Sequence, residues 1–347
     1  MKYLFLECGW KWPNGIYHER KENHPIANQA EINTIKEILV IFFCGIGDMV
    51  VFIPALEALS SFFRKSRISI MTSPPANRLL DNHPCVEGTF SLDAVDQSDF
   101  FRRFDLIINL SGHKDEINRI LRATNVKHLI IKDQLFDKKY PLHASKYHLE
   151  LIKEITTSFY KPLVYVTDEE RQAAQNYLIN EKLNPDMDLI IAIHPGSSNP
   201  SKVWDWRRFL KVCNLLIRNY CAKILLLSGP SEQGISEKIA NTIVEPLVVV
   251  KEPLRLIAAL LEQCRLLITN DSGIMHLAAA VGTPIISIFK SSLSKPEIWG
   301  PLADNHVAIC KETFDAISVA DVMRGVKLLL SRIHKLGGRT RKQLHKE

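Results

Sequence analysis

From Ile38 onward the chain alternates short apolar runs, rich in β-branched residues, with longer stretches of helical spacing. Ile38–Phe43, Arg67–Met71, Leu106–Leu110 and Lys127–Ile131 read as strands in the first half. Leu189–His194, Lys223–Ser228, Pro246–Val250, Leu266–Thr269 and Pro284–Phe289 repeat the pattern in the second. Such alternation argues for parallel βαβ units. The run Leu189-Ile190-Ile191-Ala192-Ile193, apolar at every position, argues for a strand covered on both faces. A helix rich in Glu and Gln, Glu169–Glu181, precedes the second set, so a boundary falls near Tyr160–Asp168. The expected fold is α/β, two doubly wound Rossmann-like domains (residues 36–165 and 166–330) facing across a cleft. Ligands in such sheets bind beyond the carboxyl ends of the strands.

Residues 1–35 form an N-terminal extension, where Trp10-Lys11-Trp12, Pro13-Asn14-Gly15 and Ile16-Tyr17 read as a small hairpin on Asn-Gly turn chemistry. Residues 331–347 form a basic tail with Arg332, Lys335, Arg339, Arg341, Lys342 and Lys346. A solvated end is its plainer reading; an electrostatic hold on the cytoplasmic face of the inner membrane is the sharper one.

Composition narrows the classes. The chain has 347 residues, 46% hydrophobic and 24% charged, which suits two globular domains and excludes wholesale disorder or a membrane bundle. The net charge of +6 suits an acidic ligand. No basic helix interleaved with aromatics appears in the body of the chain, so nucleic acid is not an expected partner. The seven cysteines lack a Cys-x-x-Cys pair and read as reduced, mostly buried thiols. The apolar run Tyr3–Leu6 stops at Glu7 and no stretch reaches the length of a membrane span, so a cytoplasmic protein is expected.

Three segments carry candidate chemistry. Cys44-Gly45-Ile46-Gly47-Asp48 follows the first strand and opens a helix. Gly45 and Gly47 let the chain turn tightly and a ligand approach the backbone. The place of a third dinucleotide-motif glycine holds Val50, and no acidic residue ends the next strand. Asp48 is either an N-cap or a general base facing the cleft. The second segment, His194-Pro195-Gly196-Ser197-Ser198 through Lys202-Val203-Trp204, supplies N–H groups, hydroxyls and one mobile cation, the parts a diphosphate needs. A polar loop anchored by Trp204 and Trp206 is the plainer alternative. The third runs from Thr269-Asn270-Asp271-Ser272-Gly273 through His276 to Gly282-Thr283-Pro284. There Asp271 or Ser272 caps a small-residue helix, and His276 shares a strand-end corner with Asp271. Asp186-Met187-Asp188 has metal-binding spacing but precedes a strand, at the wrong end of the sheet for a ligand, and reads as loop.

Together these segments resemble glycosyltransferase family 9, the heptosyltransferases of lipopolysaccharide synthesis, over about Ile38 to Leu330. The resemblance rests on Ile46-Gly47-Asp48 with Pro54-Ala55-Leu56, on His194-Pro195-Gly196 with Lys202-x-Trp204, and on Asn270 through Pro284. It implies the GT-B fold and inverting, metal-independent transfer from ADP-heptose to a lipopolysaccharide-core or other cell-envelope glycan, with no cofactor. By that likeness Asp48 is the base, and Lys202 neutralises the leaving diphosphate with help from Ser197 and Ser198. Asp271 holds sugar hydroxyls, Ser272, Gly273 and His276 contact phosphates, and Glu232 meets the nucleoside. The chain departs from the pattern at Lys290-Ser291, where the family often has Gly-Pro, and at Phe43-Cys44 before the Gly-Asp corner. A nucleotide-sugar epimerase or hydrolase on the same fold, and a non-catalytic nucleotide-sugar-binding protein, are the rival readings.

Overall fold

The computed structural model describes residues 29–94, 97–111, 121, 128–131, 143–152, 155–156, 158–229, 233–245 and 247–336. The expected hairpin at Trp10–Tyr17, Glu232 and the far end of the basic tail lie outside them. The chain divides into two compact units, whose described parts are residues 29–168 and 169–336.

The first unit holds five parallel strands: β1 (Glu37–Ile41), β2 (Arg67–Met71), β3 (Gly88–Phe90), β4 (Leu106–Asn109) and β5 (His128–Ile131). Their order is β3-β2-β1-β4-β5, so the winding reverses between β1 and β4. After β1 the helix Ile46–Phe62 crosses the sheet, with Met49–Ala55 and Leu59 among its buried residues. It tolerates Pro54 inside it, although a proline there loses a backbone bond. Such a helix, apolar nearly all round, must be covered on several sides. The helix Ala144–Leu151 packs against it, and Phe42, Phe52 and His148 stack beneath, with ring centroids 4.8 and 5.2 Å from Phe42. The last residues of the expected extension join this packing. Gln29–Thr34 is helical, Ile35 is buried, and the Ser66 hydroxyl donates to the Ile35 carbonyl at 2.7 Å.

The second unit holds β6 (Ile190–His194), β7 (Lys223–Leu227), β8 (Val248–Val250), β9 (Leu266–Asn270), β10 (Ile285–Lys290) and β11 (His306–Lys311). All run parallel in the order β11-β10-β9-β6-β7-β8, and the winding reverses between β6 and β9. Each residue of β6 and β9 is buried, the apolar runs as a strand covered on both faces requires and the polar His194, Thr269 and Asn270 at their carboxyl ends with them. The helix Trp206–Tyr220 starts where the Asp205 carboxylate accepts the Arg207 N–H at 2.9 Å. It buries Phe209, Val212, Cys213 and Leu216, one face at helical spacing, and stops at Cys221 in the left-handed conformation. Arg171 clasps Glu262 with two bonds of 2.8 and 3.0 Å, tying the helix Asp168–Asn180 to Leu254–Gln263.

Three expectations need amending. The closing helix, Val319–Leu336, runs past the expected domain end, so Arg332 and Lys335 belong to it rather than to a tail. The strands β3 and β11 were not foreseen: β3 has three residues, and β11 is broken in pattern by His306 and Lys311. The six described cysteines are free, but only Cys213 and Cys264 are buried, and Cys221 is exposed. Among the described residues no helix is long and apolar enough to cross a membrane.

Candidate active site

In the second unit the strand order reverses between β6 and β9, and a ligand crevice is expected at the carboxyl ends of that pair. The loops leaving the two strands meet there. Asn270, the last residue of β9, donates Nδ2 to the carbonyls of Pro195 and Gly196, at 2.7 and 3.3 Å, and its Oδ1 accepts the Trp204 N–H at 3.1 Å. Trp204 is fully buried, and its Nε1 donates to the Ile317 carbonyl at 3.3 Å. One buried amide thus braces both ends of the loop from Pro195 to Trp204.

Lys202 and Asp271 meet across these loops. Lys202 Nζ lies 2.7 Å from Asp271 Oδ2, with the aspartate side chain 7% exposed and the lysine 26%. Ser294, on the loop after β10, donates its hydroxyl to the same oxygen at 2.6 Å. Asp271 therefore does not cap the following helix. The N-cap of Gly273–Ala280 is Ser272, which makes no side-chain cap bond. Its hydroxyl instead lies 3.2 Å from both His194 Nδ1 and Thr269 Oγ1.

The remaining expected donor residues fall into two groups. Ser197 is buried, and its hydroxyl donates to the Asp271 carbonyl at 3.1 Å, a bond internal to the loops rather than one held open for a ligand. His276 is likewise buried on its helix. Ser198 is exposed, and Ser272 and Gly273 are half-buried at the helix N-terminus, where the first N–H groups have no intrahelical acceptor. Asn270 and Ser294 were not singled out from the sequence as site residues. Asn270 lay in the motif without a role, and Ser294 carries no local signal.

The first unit has its own strand-order reversal, between β1 and β4, and the Gly45–Asp48 corner stands at the end of β1. The loops again meet: the Phe43 N–H donates to Ser111 Oγ at 2.7 Å. The helix N-cap is Gly45, with extended φ and ψ and no side-chain cap bond, while Asp48 is the third helical residue. Of the two readings of Asp48, the N-cap is therefore ruled out, since that place belongs to Gly45. Its Oδ2 lies 3.5 Å from where a Cβ on Gly45 would stand, so bare backbone flanks the carboxylate. Burial, then the Asp48 charge, pushes the Cys44 thiol far up, so the sulfur stays protonated and is no nucleophile.

Among the described residues one group is spaced to hold a metal: Glu57, His83 and Cys85, with ligand atoms within 4.8 Å of one another. His83 Nδ1 accepts the Cys85 N–H at 3.2 Å, which leaves the ring proton on Nε2, facing Glu57 Oε1 at 3.5 Å. That tautomer offers a metal no lone pair at Nε2, and burial holds the ring's pKa down to about 4 and pushes the Glu57 carboxyl up. The arrangement is that of a buried polar cluster. Asp186-Met187-Asp188 lies before β6, at the amino end of the sheet, where Asp188 Oδ2 accepts the Asn184 N–H at 2.7 Å.

A family model described as glycosyltransferase family 9 (heptosyltransferase) matches residues 127–323. Lipooligosaccharide heptosyltransferase 2 of Haemophilus influenzae is 27% identical over 229 residues, which is 61% of this chain and 62% of that protein's length. Among solved structures, a family 9 glycosyl transferase from Veillonella parvula superposes with a TM-score of 0.76, at 21% identity over 86% of this chain and 97% of that one. The E. coli ADP-heptose LPS heptosyltransferase II superposes with a TM-score of 0.73, at 18% identity over 86% of this chain and 99% of that one. At these identities the superpositions speak for the fold, which is GT-B. With the family model covering more than half of its residues, this chain belongs to glycosyltransferase family 9, the heptosyltransferase family.

Proposed function

We propose that this chain transfers heptose from ADP-heptose to a cell-envelope glycan, with inversion and without a metal ion. The observation that carries this reading is the Lys202–Asp271 pair held at the β6–β9 switch point by Asn270. A lysine beside exposed hydroxyls and helix-terminal N–H groups suits a diphosphate, and an adjacent carboxylate suits sugar hydroxyls. The E. coli relative of the same fold is described as acting with ADP-heptose, which supports that donor here.

The chemistry balances with this chain's own groups. Asp48 takes the proton of the acceptor hydroxyl, and the acceptor oxygen forms a bond to the anomeric carbon from the face opposite the diphosphate. The bond from that carbon to the diphosphate oxygen breaks, and ADP leaves with the electron pair. Lys202 meets the charge that develops on the leaving oxygen, the place where fixed positive charge lowers a barrier most. Ser198, Ser272 and Gly273 line the phosphates, Glu232 meets the nucleoside, and the acceptor is a lipopolysaccharide-core or related glycan. The enzyme works in the cytoplasm, with its basic C-terminal residues drawn to the inner membrane face.

The test is release of ADP from ADP-heptose by the full chain, with and without truncated lipopolysaccharide cores, in buffer or excess EDTA. Acceptor-dependent release that survives EDTA supports the reading. Turnover of donor alone points to a hydrolase or epimerase, and donor binding without turnover on any core points to a non-catalytic binder. Loss in EDTA restored by Mg²⁺ removes the metal-independent mechanism.

A further inference from the structure

We propose that Ser294 is a positioning residue that keeps the Asp271 carboxylate in place when the donor's diphosphate draws Lys202 away. The inference rests on the donor reading given above. Both side-chain contacts of Asp271 fall on Oδ2, from Lys202 at 2.7 Å and from Ser294 at 2.6 Å. Among the described residues no donor meets Oδ1, which is the oxygen left for sugar hydroxyls.

The two donors to Oδ2 differ in kind. Lysine carries its charge on a flexible four-carbon stem and can swing to a better anion. Ser294 cannot follow. Its backbone N–H donates to the Lys290 carbonyl at 3.0 Å, and the Ser291 N–H and the Ser292 hydroxyl bind the carbonyls of Lys311 and Glu312 at 2.9 and 3.2 Å. The loop is fixed on its far side too. The helix Pro296–Trp299 closes on Gly300, where an added Cβ would overlap the Pro296 carbonyl oxygen. Leu293 is 43% exposed and Lys295 is exposed, yet Ser294 between them is 6% exposed, its hydroxyl turned in onto Asp271.

A carboxylate this buried is unfavourable once its cation leaves, unless another donor remains. A hydroxyl on an ionised acceptor gives a short, strong bond, and 2.6 Å is in that range. Ser294 thus lets one lysine serve two anions in turn without releasing the carboxylate that orients the sugar.

The experiment measures affinity of the full chain for ADP and for ADP-heptose by calorimetry, with turnover and melting curves, in Ser294→Ala, Ser294→Cys and Ser294→Thr. Cysteine keeps the shape with a weak donor and serves if alanine fails to fold; threonine keeps the hydroxyl. Loss of one charge-assisted bond corresponds to about 10–100-fold weaker binding. A loss of that size is expected for ADP-heptose in the Ala and Cys variants, with a smaller loss for ADP, whose diphosphate also draws Lys202 away but which has no sugar to orient, and with Thr restoring most of both. Unchanged ADP-heptose affinity, or equal losses for both ligands, overturns the role of Ser294 and leaves the donor reading standing. A wild-type chain that binds neither ligand overturns both.

Discussion

Asn270 Nδ2 donates to the Pro195 carbonyl at 2.7 Å, and so the last residue of one strand holds the loop that leaves its neighbour. The same side chain receives the Trp204 N–H, and both contacts are buried. Asn270→Ala should take this partner from the buried carbonyls of Pro195 and Gly196 and from the Trp204 N–H, each orphaned group costing about 1–3 kcal/mol. The expected outcome is a lower melting temperature together with weaker ADP binding. Wild-type ADP affinity in a folded Asn270→Ala variant would detach this brace from the donor site.

Lys202→Ala should weaken ADP by about 10–100-fold, the scale of one lost charge-assisted contact. It should also lower stability, because it leaves the buried Asp271 charge stranded from any cation, with the Ser294 hydroxyl alone on it. Adding Asp271→Ala to Lys202→Ala removes that stranded charge. The double variant is expected to melt higher than Lys202→Ala while binding donor no better. Strict additivity of the two single effects on melting would argue that the pair is not coupled.

Asp48 lies in the first turn as the third helical residue, and the N-cap is Gly45, so an Asn or Ala there leaves the cap residue in place. Both should stay within about 0.3–1 kcal/mol of wild-type stability, the worth of a carboxylate near a helix N-terminus. Turnover should nevertheless fall by about 10²–10⁴-fold in each, with donor affinity retained. Wild-type rates in Asp48→Asn, measured by ADP release with acceptor present, would take Asp48 out of the mechanism.

Acid should unfold this protein through its buried histidines. Burial, aided at His148 by His143, lowers His83, His148 and His306 from 6.5 to about 4. Below their unfolded pKa the unfolded chain binds more protons than the folded one, so stability is complete above about pH 6.5 and is lost as pH falls toward 4. The loss per histidine is on the order of 3 kcal/mol once both states are protonated. Both ring nitrogens of His148 are buried without a partner beside Phe42 and Phe52. His148→Phe is therefore expected to flatten the acid limb of a stability-against-pH curve. An unchanged slope between pH 6.5 and 4 would rule His148 out as a source.

The nine strands foreseen from apolar runs all exist, with ends shifted by at most two residues, because strands covered on both faces write themselves as unbroken Ile, Leu and Val. β3 and β11 lie at sheet edges, where half-buried positions admit Thr, His and Lys and blur that pattern. The loops carrying Lys202 and Asp271 were legible because each directly follows an evident strand. Their pairing was not, since 69 residues separate them and only the strand order brings β6 beside β9. Ser294 is harder still. A serine in a polar stretch gives no hint that its neighbours face water while it faces a carboxylate.

A lysine standing alone on a Gly/Ser loop would bind whatever small anion is most abundant. Lys202 already has a partner in Asp271. An incoming anion must outbid a carboxylate at 2.7 Å, which a single orthophosphate does poorly and a diphosphate anchored by its nucleoside does well. In the proposed donor site the resting pair would act as a threshold, keeping the site clear of inorganic phosphate until a ligand arrives that can engage several points at once.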